Sequence, residues 1–211
     1  PAILMPSLRH SFSLAASLCA ALRSATLLCA TLLHASASTA DIQVIHSDAQ
    51  GLRLLVEVDP GVHTGSGPIA AAGLPRGAGP GGVDLPFVAE LIATPPGVRL
   101  SLIVSSESDT TFSDINLPPA DSLSTILPED GLRRLADAQL LGILRGIPGH
   151  ALHIYPWQFD PTTRSLLVHT RLLVDVRFDG ASSARPHSTT DVAGQALRSA
   201  FLNPPSHGGW R

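Results

Sequence analysis

The chain contains no lysine, and its two cysteines, Cys19 and Cys29, both precede residue 40. If those first residues are a leader, the rest has no thiol. That excludes a disulfide framework, a cysteine metal site and a cysteine nucleophile within it. Acidic residues are absent from the same stretch: all seventeen lie after position 40, against twelve arginines among residues 41–211, a formal charge of −5 for that part. A mildly acidic surface without lysine lacks the clustered positive charge that nucleic acid or an anionic membrane requires. No Gly-x-Ser-x-Gly elbow occurs, so Ser206-His207-Gly208-Gly209 has no nucleophile to serve.

What is present at the start is an export pattern. Numbering begins at Pro1 and the sole methionine is Met5, so residues 1–4 are set aside as outside the leader. From Met5, Arg9 and His10 precede two apolar blocks, residues 11–22 and 25–33, and then the small-residue run Ala35 to Ala40. Arg23 splits the apolar stretch into pieces shorter than the roughly 18 residues of a spanning helix. The expectation is a signal peptide over residues 5–40, cleaved after Ala37 or Ala40, and a secreted product with no membrane span. About 170 residues then remain, enough for one domain with a tail.

Period-2 alternation dominates that remainder. Residues 52–58 carry Leu, Leu, Val and Val at even positions, and residues 98–104 carry Val, Leu, Leu and Val, with Arg53, Glu57, Arg99 and Ser101 between them. Both read as half-buried strands. Residues 41–46, 86–93 and 139–144 are weaker strand candidates, the last interrupted by Gly142. Residues 60–82, with eight glycines, predict a long exposed loop, and residues 105–119 a polar one. Pro128, Glu129 and Asp130 ahead of Leu132, Leu135 and Ala136 predict a short helix over residues 128–138, and Glu129-Asp130 read as helix-start chemistry, not an acid/base dyad.

The clearest pattern is residues 166–178, whose even positions are Leu, Val, Thr, Leu, Val, Val and Phe, while His169, Arg171, Asp175 and Arg177 fall at odd ones. One face is apolar and the other wet, which is a strand. Asp160-Pro161-Thr162-Thr163 suits a type I turn, folding residues 151–159 back antiparallel. With Phe159 opposite Arg164, Trp157 faces Leu166, Tyr155 faces Val168 and His153 faces Thr170, which puts the large aromatics on the core side. Past Gly180 the chain is rich in Ser, Pro and His, then shows helical spacing at Ala193, Leu197 and Phe201, broken by Asn203-Pro204-Pro205.

The fold class expected is all-β: an antiparallel β-sandwich with short helical segments and a helical or linker tail. No residue stands out as catalytic, cofactor-binding or metal-binding. His150 and His153 point to opposite faces of a strand, and His153 and His169 do not converge in this register, so no metal site forms.

Three blocks, in order and spacing, resemble the propeptide of gingipain-type cysteine peptidases. They are "DLPFVAELIATPPGV" (84–98), "LRGIPGHALHIYPWQFDPTTRSLLVHTRLLVDVRFDG" (144–180) and "FLNPPSHGGWR" (201–211). The resemblance spans residue 52 to the end; the Gly/Pro-rich insert at 60–82 and Gly149-His150 depart from it. It implies a signal peptide at 5–40, a β-sandwich propeptide at 41–180 and a linker at 181–211 leading toward a catalytic domain beyond this chain. Such a propeptide is not itself an enzyme and needs no cofactor. It acts as intramolecular chaperone and inhibitor toward the peptidase catalytic domain, in cis or after cleavage, within a secreted zymogen whose catalytic cysteine and histidine lie after it. Basic side chains fill the specificity pocket in this family; Arg133, Arg134 and Arg76 are candidates beside the plain reading of solvated arginines, and Arg211 a candidate processing point. The other reading is an independent extracellular β-sandwich that binds a carbohydrate or a surface partner.

Overall fold

The computed structural model describes residues 40–61, 68–71, 73–121, 125–126, 135–180 and 192–205. Leader residues 5–39, Arg133, Arg134, Glu129-Asp130 and residues 206–211 lie outside them, whereas Ala40, the last residue of the expected leader, is described and begins the first strand. Eleven strands account for most of the described residues: β1 (Ala40–Ser47), β2 (Gly51–Val58), β3 (Arg76–Ala78), β4 (Asp84–Pro86), β5 (Val88–Ala93), β6 (Arg99–Phe112), β7 (Thr125–Ile126), β8 (Ala136–Leu144), β9 (Ile147–Ile154), β10 (Trp157–Asp160) and β11 (Ser165–Asp179). One helix, α1 (Val192–Ser199), follows.

The apolar alternation of β11 makes it the spine. Leu166, Val168, Leu172, Val174, Val176 and Phe178 are buried, while Arg171 and Arg177 are exposed. β6 pairs antiparallel along its whole length; on the other side β10 takes its first residues and β2 its last, with β1 outside β2. Facing this large sheet is a three-stranded antiparallel sheet in the order β5-β9-β8. Leu54, Val56, Leu172 and Val174 from the first and Val88, Ile92, Leu152 and Ile154 from the second belong to one core. Burying each such side chain contributes about 1.5–3 kcal/mol before chain entropy is subtracted. A small sheet, β4-β3-β7, flanks them, with β3 and β7 parallel. The architecture is the expected all-β sandwich.

Local readings changed in four places. Residues 105–112, expected as loop, continue β6: their exposed Ser, Glu, Asp and Thr side chains carry no apolar period, yet the backbone completes a ladder with β11. Residues 136–138, expected in a helix, begin β8, because cross-strand pairing with β9 overrides weak helical propensity; residues 127–134 are outside the described set. The loop after β2 is not wholly exposed, since Ile69 and Ala71 are buried and Arg76–Ala78 is a strand. Its base closes where Ala70 N–H donates to the Gly61 carbonyl, and Gly61 has φ +57° with the Ala70 carbonyl where a Cβ would sit.

The fourth change is at the hairpin. Residues 151–159 do not form one strand: the chain leaves the small sheet at Tyr155-Pro156 and enters the large one as β10. Pro156 has no N–H to continue a ladder, and its carbonyl accepts from His169 N–H. The turn is Pro161 to Arg164, so Trp157 faces Val168 and Phe159 faces Leu166, two residues from the expected register. His153 lies opposite Ala89 and Asp137 instead of Thr170. An even slip preserves the side, so Tyr155 and Trp157 stay buried as expected.

Candidate docking surface

β8 and β9 form a ribbon whose turn follows from Arg145-Gly146. Both residues have positive φ, +51° and +80°, and Leu144 pairs Ile147, the backbone shape of the two-residue turns that match strand twist. Gly142, φ +136°, accommodates a bulge between Leu140 and Gly142, which explains the glycine that interrupts this strand.

The end of this ribbon is apolar and uncovered. Leu140, Leu141 and Ile143 are 60%, 58% and 72% exposed. Among the described residues β8 has no ladder partner on its outer side. Other edges also expose apolar side chains, Val44 and Ile45 on β1 and Ile103 on β6, but mix them with charge or a bulge: β6 displays Glu107 and Asp109, and β1 has Asp41, His46 and a bulge. β8 has no charge from Gln139 to Leu144. Exposed apolar side chains grouped at one strand end make this the candidate docking surface.

The base of the ribbon is stiffened. The Asp137 carboxylate spans two residues of the β9 side: its Oδ1 is 3.0 Å from His153 Nδ1, and its Oδ2 accepts the Tyr155 hydroxyl at 3.0 Å. Phe87 packs edge-on against His153, ring centroids 5.5 Å apart. Burial, and then the charge and hydrogen bond of Asp137, push the Tyr155 phenol well above its usual range. It stays protonated as a donor and offers no nucleophile. A cleft of about 510 Å³ opens beside this group, lined by Leu100, Leu102, Ala136, Asp137 and Ala138.

Residues 201–203 of the tail rest on the same small sheet. Leu202 N–H donates to the Leu91 carbonyl, and Phe201 packs with Ala93 and Ile147.

The remaining candidates are held by the fold. Arg76 donates to the Asp84 carboxylate and to the carbonyls of Ile69 and Asp84, tying the glycine-rich loop to β4. His169 Nδ1 sits 2.9 Å from Ser106 Oγ, and burial lowers its pKa against a smaller opposing effect of Asp109. Burial also lowers the pKa of His150, whose backbone partners are Ile92 and Leu140. Among the described residues no three His, Cys, Asp or Glu side chains gather as metal ligands, and no helix is long and apolar enough to cross a membrane.

The chain aligns with one from the complex of the Porphyromonas gingivalis RgpB pro- and mature domains, at a TM-score of 0.59 and 16% identity, over 77% of this chain and 96% of that one. The fold is that of a gingipain propeptide. A chain from gingipain K of the same bacterium, solved for zymogenic latency, aligns at a TM-score of 0.48 and 20% identity, over 70% and 96%. No family model and no curated protein matches the sequence.

Sequence reasoning passed over the apolar end of β8. The run Leu140-Leu141-Gly142-Ile143-Leu144 was visible as a strand, but its exposure depends on where the opposite sheet stops.

Proposed function

We propose that this chain is the prodomain of a secreted gingipain-type cysteine peptidase, acting as intramolecular chaperone and steric inhibitor of the catalytic domain and performing no catalysis itself. In this reading residues 5–40 are removed on export, 41–180 form the folded prodomain, and 181–211 lead toward the catalytic domain. The observation that carries it is the shared fold with a chain from a pro- and mature-domain complex, covering nearly all of that chain. The chemistry agrees: the buried titratable groups, Tyr155 and His169, are stabilised in their neutral forms, which suits a scaffold that fits against a partner. Inhibition follows from area, because a domain seated over a cleft excludes substrate without a reactive group.

The test is to read the coding sequence past the Arg211 codon and to express the following domain separately. The expected result is an in-frame α/β domain with a histidine and a cysteine at strand ends, whose peptidase activity falls when the purified chain is added. Turnover of a peptide or ester by this chain alone, abolished by replacing one side chain, overturns the reading. So does a following domain that the chain neither binds nor inhibits.

A further inference from the structure

The ladder between β6 and β11 slips twice between His169 and Leu172. His169 pairs Asp109, Arg171 pairs Ser108 and Leu172 pairs Ser106, so Thr170 is the extra residue on β11 and Glu107 the extra one on β6. Bulges of this kind re-aim side chains. Here the adjacent Val168 and His169 are both buried, His169 being 7% exposed. The two nitrogens of its ring are treated differently. Nδ1 is 2.9 Å from Ser106 Oγ, and that hydroxyl donates in turn to the Ser108 carbonyl at 3.4 Å. The hydroxyl proton is therefore used, so Nδ1–H donates to Ser106 and Nε2 is left as a bare lone pair. Nε2 is buried and has no hydrogen-bond partner among the described residues. A proton added there makes a buried cationic N–H without an acceptor, which costs far more than the neutral ring.

The strand opposite is weakly held at this point. Residues 105–111 of β6 are all exposed, so no buried side chain fixes them, and among the described residues the far edge of β6 has no ladder partner. What holds them is the ladder to β11 and three side-chain links at the bulges: His169 to Ser106, Thr170 Oγ1 to Ser108 Oγ at 3.0 Å, and Arg171 to Glu107 at 2.9 Å. Packing resumes on either side, where Val104 and Phe112 lie against the core. Segments with few buried apolar contacts are the first to open.

We propose that residues 105–111 are an acid-released arm: a proton on His169 frees them from β11 between the anchors Val104 and Phe112, while the rest of the sandwich stays paired. Lifting the arm takes Ser106 off the ring and gives the imidazolium water. The charges nearby do not compensate for burial. Asp109, across the ladder, favours the proton less than burial opposes it. Glu107 is engaged by Arg171, which also reaches Glu57 at 3.4 Å. On the β10 side stand Trp157 and Pro156, whose carbonyl accepts from the His169 backbone N–H, and the phenol of Tyr155 is bound to Asp137. The closed arm thus binds fewer protons than the lifted one, whose ring titrates near the ordinary 6.5. Opening is favoured as pH falls below that value, and at pH 5 the gain is at most about thirtyfold. The device operates whatever partner the sandwich takes.

The test is hydrogen exchange on the wild-type chain at pH 7.5 and pH 5.0, with labelling times scaled to the intrinsic exchange rate. The expected result is a loss of protection of about five- to thirtyfold confined to amides 105–111, with residues 172–178 of β11 unchanged. In His169→Gln, whose amide bonds Ser106 without titrating, the loss is expected to vanish. Should that variant fail to fold by circular dichroism, the wild-type ring decides: arm protection is expected to fall with the same midpoint as the His169 Cε1–H signal in an NMR titration. No loss at 105–111, a loss spread evenly over the strands, one that persists in His169→Gln, or one whose midpoint differs from that of the ring overturns the proposal.

Discussion

The side-chain amide of Asn203 closes both backbone hydrogen bonds of Ala93: Oδ1 accepts from Ala93 N–H at 2.8 Å, and Nδ2 donates to the Ala93 carbonyl at 2.9 Å. Asn203 is 3% exposed and stands where the next strand of the small sheet would be. A single residue of the tail thereby finishes the outer edge of β5, one face of which borders the core and the other Phe201. The tail is part of the sandwich at this point.

Asn203→Ala leaves a buried N–H and a buried carbonyl without partners, at about 1–3 kcal/mol each. For a unit of this size roughly 2–4 °C of melting temperature accompany each kcal/mol. The variant is expected to melt at least 4 °C below wild type by circular dichroism. Asn203→Asp keeps the acceptor, loses the donor and buries a charge, so it is expected to be no better. An unchanged melting curve for both would show that Ala93 is satisfied in another way.

Tyr155 makes stability fall in alkali. Its phenol is held protonated in the folded state, above the ordinary value of 10.0, first by burial and then by Asp137. A group whose folded pKa is raised contributes stability fully present below its unfolded pKa and lost as pH rises above it. Urea midpoints are expected to decline more steeply above about pH 10 for wild type than for Tyr155→Phe. Near neutral pH Tyr155→Phe is expected to be the less stable of the two, since it leaves Asp137 short of a donor. Parallel curves across the alkaline range would exclude the phenol as their cause.

His169 acts at the other end of the scale. Burial disfavours its charged form, which outweighs the opposing pull of Asp109, so its folded pKa lies below 6.5. The folded state then binds fewer protons than the unfolded one. The contribution is fully present above about pH 6.5 and is lost as pH falls through the folded value. His169→Gln is expected to flatten the loss of stability between pH 7 and 5, measured by urea unfolding at fixed ionic strength. His150, lowered by burial in the same sense, leaves a residual slope.

How far the sequence carried depended on whether a feature was local. β2 and β11 were legible because one buried face imposes a strict period of two. The hairpin register was not, since any even slip of Trp157 along β11 satisfies the same period; the turn at Pro161 to Arg164 decides it. The polar half of β6 is held by its backbone ladder with β11, which leaves no mark on side-chain pattern. Arg76 looked like a free basic residue on a glycine-rich loop because nothing in the chain order brings Asp84 and the Ile69 carbonyl to it. The exposed end of β8 was hidden for the same reason: Leu140 and Ile143 resemble any buried strand residues until the end of the facing sheet is known.

The alternation that made β11 legible can itself be measured. Leu172 and Leu173 are adjacent, chemically identical and both paired to β2, Leu172 opposite Val56 and Leu173 opposite Leu55. Leu172 is fully buried in the core between the sheets, and Leu173 is half-buried on the outer face. Leu172→Ala removes core volume that surrounding strands fill only in part, and about 2–5 kcal/mol is expected. Leu173→Ala removes side chain that already meets water on one side, and about 1 kcal/mol or less is expected. Urea unfolding of the two variants, compared at equal m-values, reads the difference. Equal losses at both positions would mean that the large sheet is covered on both faces, and that the outer surface of β11 is an interface rather than a wet face.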